Sequence, residues 1–439
     1  MNMRKADTRV FRSFRLLARP EQLSLVEELL HAQGFAFETE DFSPLARKLI
    51  AEPFPLGASL ASLFGYSYIQ DRSSMLPPLV LDPPPGAAVL DMCASPGSKT
   101  SLLAQLVGEN GFVLANEPNP KRLATLRQNL LRQNLLQTGT CSFPGERIPM
   151  PSASWEYIQL DPPCSGWGTE AKHPTVRKLW KDDKVRPLAR LQRRLLKEAA
   201  RLLAPGGRLV YSTCTTNSEE NEEHIRFAVE ELGLMLLPLR PFAGFFFDEP
   251  AQGVAGSLLV RGHVDGAQGF FIALLTKPGH CEIQRFPSFS LPECAPSQHL
   301  VPLATLEDEV QALLPPGESV VFGDKICFLP KAGLLHLPAG LRWQGCILGK
   351  AHDGRARLFS CLHRLLPSVP GTDSLNLDNI APLIDLLAGR SLETSLTAKQ
   401  IFLYWRDLPL ARLNVKGSRA LLASMPPCQG RWHAASEKV

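Results

Sequence analysis

The chain has 439 residues, 44% of them apolar, and a formal net charge of +4. That is room for two or three domains with cores of their own. No stretch approaches the ~18 uninterrupted apolar residues of a membrane span, and a balance this near neutral does not by itself point to a nucleic-acid partner.

The ten cysteines include no C-x-x-C pair and no histidines at zinc spacing, which argues against a metal site. A chain this long builds cores without disulfides, so the thiols are read as reduced and the compartment as cytoplasmic. The opening "MNMRKADTRVFRSFRLLARP" is arginine-rich but lacks the apolar core of a secretory signal, and reads as a basic first helix, with an organelle transit peptide as the alternative.

Residues 8–34 show helical spacing, Leu25 with Leu29 and Val26 with Leu30, and Gln33-Gly34 ends the run. Residues 35–85 are Pro-rich and irregular, closing in a short strand or loop and a helix within "GYSYIQDRSSMLPPLVL". Then strands and helices alternate. A strand Ala87–Asp91 runs into a Gly/Pro/Ser turn and a helix; a strand Phe112–Asn116 is followed by a helix from about Pro120. A third strand ends at Asp161, "VRPLARLQRRLLKEAARLLAPGG" is a helix, and "RLVYSTCT" is a strand. Gly266–Pro278 is the closing strand. This alternation predicts an α/β fold with a parallel doubly wound sheet, whose ligands bind beyond the C-terminal strand ends. After it come a Pro/Ser-rich linker over 281–300, a small α+β or β-barrel module over 301–425, and a tail over 426–439. The preceding divisions are 1–85, an N-terminal helical region, and 86–280, the α/β domain.

The unusual residues cluster at those strand ends. "DMCASPGSKT" delivers Asp91 to a turn whose backbone N–H groups can approach a polar ligand closely. It is neither a Walker A loop nor G-x-G-x-x-G, so a triphosphate is not favoured. Glu117, ending the next strand, is placed to accept two ribose hydroxyls. Together they suggest a nucleoside cofactor without a long phosphate chain, and S-adenosylmethionine fits. "LDPPCSG" makes a rigid turn at Asp161. Its fourth residue is Cys164, where amino-methyltransferases place a stacking aromatic. "YSTCTTNSEENE" puts a second thiol, Cys214, where a strand runs out. The acidic run Glu219–Glu223 reads as the first turn of a helix with Ser218 as N-cap. Between Glu170 and Arg201, eleven Lys/Arg stand against four Asp/Glu, fitting either a phosphate-facing surface or a solvated helix face.

In combination, "DMCASPGSKT", "ANEPN", "LDPPCSGWG", "YSTCTTNSEENE" and "QGFFIALL" resemble the RNA 5-methylcytosine methyltransferases of the RsmB/RsmF/NSUN type over roughly 55–280. The layout is similar to the RsmF (YebU) subgroup, whose tail is PUA-like and RNA-binding. The resemblance implies a Rossmann-like class I methyltransferase domain, S-adenosylmethionine as cofactor, and RNA, ribosomal or transfer, as partner. It implies no membrane, no metal and a monomer. C5 of cytosine is a poor nucleophile until a thiolate adds at C6. By resemblance Cys214 is that nucleophile, and Cys164 assists release of the methylated base. Asp161 hydrogen-bonds the cytosine edge, and Pro162 and Pro163 shape the base pocket. Cys93, Ala94, Ser95, Pro96, Gly97, Ser98 and Lys99 cradle the methionine part of the cofactor, and Glu117 the ribose. The base must leave its stack.

The sequence departs from the family's pattern in three places. Pro144 in "SFPGER" stands where relatives carry an adenine-contacting Asp, with Glu146 close by as a substitute. "DPPC" replaces the usual "D-A-P-C". The "R-x-N-T-L" strand of the N-terminal part is not found. Three other readings are open. Cys164 could be the nucleophile, as in DNA cytosine methyltransferases. The chain could be an amino-methyltransferase. It could also be a catalytically inactive RNA-binding or assembly protein that keeps the fold.

Overall fold

The computed structural model describes residues 11–170, 173, 175–176, 182–249, 254–262, 264, 266–280, 301–302, 306, 308–338, 340–352 and 355–422. The expected linker over 281–300, the tail over 426–439 and most of the basic stretch before Asp182 lie outside them.

The first segment departs from the helical reading. Ser13–Leu16 is a strand, β1, with all four residues buried. It sits between β3 (Ser43–Ala51) and β4 (Ser67–Ile69), and β2 (Ala36–Glu40) completes an antiparallel sheet in the order β2-β3-β1-β4. A strand covered on both faces shows no alternation, so periodicity cannot separate it from helix. The helical spacing belongs only to α1 (Leu23–His31), which buries Val26, Leu29 and Leu30. Pro20 lies in the short 3-10 turn just before that helix, where its fixed φ is tolerated.

α2 (Arg72–Leu81) begins at Asp71, whose side chain caps the Ser73 amide. Its Leu76, Val80 and Leu81 join the core of the central sheet. There follow β5 (Ala88–Asp91), α3 (Ser98–Val107), β6 (Phe112–Asn116), α4 (Pro120–Arg132), β7 (Thr138–Cys141) and β8 (Trp155–Leu160). Next come α5 (Asp182–Leu202), β9 (Leu203–Thr213), α6 (Glu222–Glu230), β10 (Met235–Leu237), β11 (Phe247–Asp248), β12 (Leu258–Val260) and β13 (Phe270–Thr276). The nine strands run β11-β12-β13-β9-β8-β5-β6-β7, with β10 also on β13. The five from β9 to β7 are parallel, and β13 closes antiparallel on β9. Strand order reverses at β5, which lies between β6 and β8, and that is where such sheets open a crevice. One face is covered by α5 and α6 and the other by α2, α3 and α4.

The single module expected over 301–425 is two five-stranded sheets. β14 (Val301–Pro302), β15 (Gly317–Phe322), β16 (Lys325–Pro330), β17 (Cys346–His352) and β18 (Arg355–Leu358) pair in chain order. This sheet docks on the central one: Trp343 meets Phe112 edge-on at 5.5 Å, and Thr140 and Gln344 exchange backbone bonds of 2.8 Å. The second sheet comprises β19 (Ser374–Leu377), β20 (Leu392–Glu393), β21 (Gln400–Trp405), β22 (Leu408–Lys416) and β23 (Arg419–Leu422), ordered β19-β21-β22-β23-β20. Its Trp405, Leu408 and Leu410 share one core with Phe14, Leu16 and Phe35 of the N-terminal segment, and Tyr66 Oη donates to the Pro409 carbonyl at 2.6 Å. No described helix is long and apolar enough to cross a membrane.

Candidate active site

The C-terminal ends of β5, β6, β8 and β9 converge as expected. Asp91 ends β5 fully buried and accepts from Thr100 Oγ1 at 2.7 Å. Burial raises its carboxyl to about 6. The chain then folds back: Ala94 N donates to Asn116 O at 3.0 Å and Gly97 N to Ala94 O at 2.7 Å. Gly97 has φ +105°, and a Cβ there would lie 2.9 Å from Leu126, so this turn into α3 needs glycine. Ser95 and Arg122 exchange hydrogen bonds of 3.1 Å, tying the loop to α4. Glu117 is 2% exposed. Its Oε1 accepts from the Asn119 amide at 2.9 Å, and its Oε2 lies 3.4 Å from Arg122, which is half exposed. Arg15 reaches α3 from β1, donating to Ser101 Oγ at 2.5 Å. Burial lowers its guanidinium to about 9. The N-terminal sheet therefore braces the turn at Gly97.

Cys164 and Cys214, fifty residues apart, meet with their sulfurs 3.2 Å from each other. Beside them Lys99 Nζ donates to Asp161 Oδ2 at 2.7 Å, and Ser212 Oγ to Asp161 Oδ1 at 2.8 Å. Lys99 also lies 5.2 Å over the Phe270 ring. Burial pulls the Lys99 ammonium down, but Asp161 outweighs it and the net shift is upward. The contact with Cys164 lowers the Cys214 thiol below its ordinary value; burial and Asp161 oppose this, and Lys99 assists. That same bond, with burial and the charges of Asp161 and Glu220, raises Cys164 well above it. Cys93, raised by burial, is not a competing nucleophile.

The acidic run is more than a helix start. Glu222 and Glu223 do lie in the first turn of α6, and Asn217, rather than Ser218, caps the preceding 3-10 turn Ser218–Glu220. Glu220, however, is fully buried. It accepts from Ser165 N at 2.9 Å, Ser165 Oγ at 2.5 Å, Gln192 Nε2 at 2.9 Å and Asn217 Nδ2 at 3.4 Å. Sequence reasoning missed it because its partners lie 55 and 28 residues away. The signal available was an extra acid packed between two polar loops.

The "CSGWG" and "QGFF" runs explain each other. A Cβ on Gly168 would stand 2.0 Å from Gly269 O. Gly168 N donates to Cys214 O at 3.0 Å, and Gly269 N to Gly168 O at 2.9 Å. The loop carrying Cys164 is clamped across β9 by bare backbone. In the "SFPGER" turn, Asn116 holds Phe143 through both its backbone groups. Glu146 faces Arg194 on α5 at 3.9 Å, so its charge is directed toward that helix. Along α5, Arg186, Arg190 and Arg193 line a recess of about 180 Å³ that Glu219 and Glu223 share. The described residues contain no group of three metal-ligating side chains.

Residues 78–276 match the family model described as 16S rRNA methyltransferase RsmB/F. The chain is 36% identical over 263 residues to a ribosomal RNA small subunit methyltransferase F of Cronobacter sakazakii, covering 59% of this chain and 53% of that one. It is 35% identical over 290 residues to the protein of the same name in Shewanella amazonensis, covering 64% and 62%. A solved structure, the methyltransferase homolog protein from Pyrococcus horikoshii, aligns at a TM-score of 0.53 and 34% identity over 61% of this chain and 87% of that one. The chain spans about half the length of the curated relatives it matches.

Proposed function

We propose that the chain, whose residues 78–276 match the RsmB/F methyltransferase model, belongs to that family and methylates C5 of a cytosine in RNA. Its methyl donor is S-adenosylmethionine and its substrate class ribosomal RNA, as in the names of its relatives. The observation that carries the reading is the thiol pair, 3.2 Å apart beside a lysine–carboxylate bridge. A binding module needs neither thiol. The split in their acidities, Cys214 down and Cys164 up, favours Cys214 over Cys164 as nucleophile. The thiols must be reduced, which suits the cytoplasm.

The donor set fits the cofactor. The strand–turn–helix at Cys93–Lys99 presents backbone N–H groups at the start of α3 to an amino-acid tail. Glu117 offers a pre-oriented carboxylate for ribose hydroxyls. When bound, S-adenosylmethionine supplies an electrophilic methyl group. The chain's own residues do the rest. The Cys214 thiolate would add to C6, forming an Sγ–C6 bond and shifting the C5–C6 electron pair onto C5; C5 would then take the sulfonium methyl, whose C–S bond breaks with its electrons left on the sulfur of the departing S-adenosylhomocysteine. Asp161, held by Lys99 and Ser212, hydrogen-bonds the cytosine edge. Cys164 assists removal of the C5 proton through a base; the freed pair re-forms the C5–C6 double bond and the Sγ–C6 bond breaks, returning the thiolate.

Purified protein, tritiated S-adenosylmethionine and total RNA test this. Wild type is expected to label 5-methylcytosine. Cys214→Ala gives no label, and Cys164→Ala accumulates an RNA adduct that survives denaturation. An adduct that persists in Cys214→Ala and vanishes in Cys164→Ala would reverse the two roles.

A further inference from the structure

We propose that Glu220 is a positioning residue that sets the spacing of the two thiols, holding the Cys164 loop against the end of β9 through Ser165. The inference rests on the reading that the thiols act as a pair. Four donors converge on this one buried carboxylate: both polar groups of Ser165, Gln192 from α5 and Asn217 from its own turn. Gln192 Nε2 also donates to Pro163 O at 2.8 Å, so the segment on the other side of Cys164 is held by the same cluster. On the Cys214 side, Ser165 Oγ lies 2.8 Å from Thr215 Oγ1, and Tyr211 Oη donates to the Glu220 carbonyl at 2.6 Å. The residues following each cysteine are thereby fastened to one another. Glu220 touches neither sulfur; it acts through Ser165.

Its charge has a second consequence. Cys164 faces Cys214 just past β9, Tyr211 within it, Asp161 from its own loop and Glu220 from the 3-10 turn, with Lys99 of α3 beyond Asp161. Glu220 is one of the charges that keep Cys164 protonated.

Glu220→Gln and Glu220→Ala separate placement from charge. In the glutamine variant the Ser165 hydroxyl can accept from the new amide and donate to Thr215, so all of the network but the 3.4 Å Asn217 bond survives. We expect Glu220→Ala to lower kcat about 100-fold with KM for the cofactor unchanged. Glu220→Gln should retain most of kcat, with the alkaline limb of its pH profile moved to lower pH. A second readout needs no activity: alkylation of Cys164 by iodoacetamide against pH, followed by mass spectrometry in the Cys214→Ser background. Its midpoint should fall in Glu220→Gln. A kcat loss in Glu220→Ala that only tracks the unfolded fraction overturns the positioning role, and an unmoved midpoint overturns the charge effect. Absence of methyl transfer in wild type, with the alkylation shift present, would overturn the assigned reaction and leave the effect of Glu220 on Cys164 standing.

Discussion

The two ends of the central sheet hold their titratable groups in opposite ways. At the N-terminal strand ends a cavity of about 620 Å³ opens between Gly86–Ala88, Glu109, Glu156, Lys331 and His336. Its acid Glu109 bonds outward, to Arg19 and Arg364 at 2.8 and 3.1 Å, fastening three segments of chain. At the C-terminal ends the groups face one another: two thiols, Lys99, Asp161 and, behind them, Glu220. The cavity lies where segments of chain join, and the titratable groups converge at the opposite end. Convergence of polar groups marks the site; volume does not.

Removing a group from the site should therefore cost far more than removing one from the cavity. Cys214→Ala is expected to lower methyl transfer by at least about 10³-fold without a loss of thermal stability, read by filter-bound tritium and calorimetry. Lys99→Met should cost about 10²-fold. It removes a cation that lowers the Cys214 thiol, so the acidic limb of the pH profile moves to higher pH; an unmoved limb would detach Lys99 from the thiols.

Smaller still is the effect of His224, whose Nε2 lies 2.9 Å from Gln192 Oε1. Burial lowers its imidazole from 6.5 to about 4. The unfolded chain then binds the proton that the fold refuses. Stability is full above pH 6.5 and falls as pH drops toward 4, by up to roughly 2–3 kcal/mol. His224→Asn should flatten that slope in urea titrations at pH 7 and 4.5. Least affected is Glu109→Gln: a half-exposed pair contributes under about 1 kcal/mol, and methyl transfer should be unchanged. A large loss there would show that the cavity takes part.

What the sequence reveals follows from how local each signal is. Asp91, Glu117, Asp161 and Cys214 are legible because a strand and the turn after it are contiguous, and the sheet brings every such end to one edge. β7, "TGTC", has no apolar run and forms because Val113 and Leu114 of β6 offer a free edge. β1 is hidden by burial on both faces. Glu220 looked like a helix-start carboxylate because Ser165 and Gln192 are distant in sequence. The two C-terminal sheets merged into one module because nothing in "QIFLYW" names Phe14 and Leu16 as its partners.

That last pairing has a consequence in time. Tyr66 must wait for Pro409, 343 residues later. At about 5–20 residues per second, that is roughly 17–70 s of synthesis. The central sheet has its final strand by Thr276 and can close first, while Phe14, Leu16 and Phe35 await their cover. A nascent chain arrested after Thr276 should be cut by protease within 11–70 and protected across the sheet. During that interval residues made long before the sheet are buried only after it, and a chaperone would find its grip there.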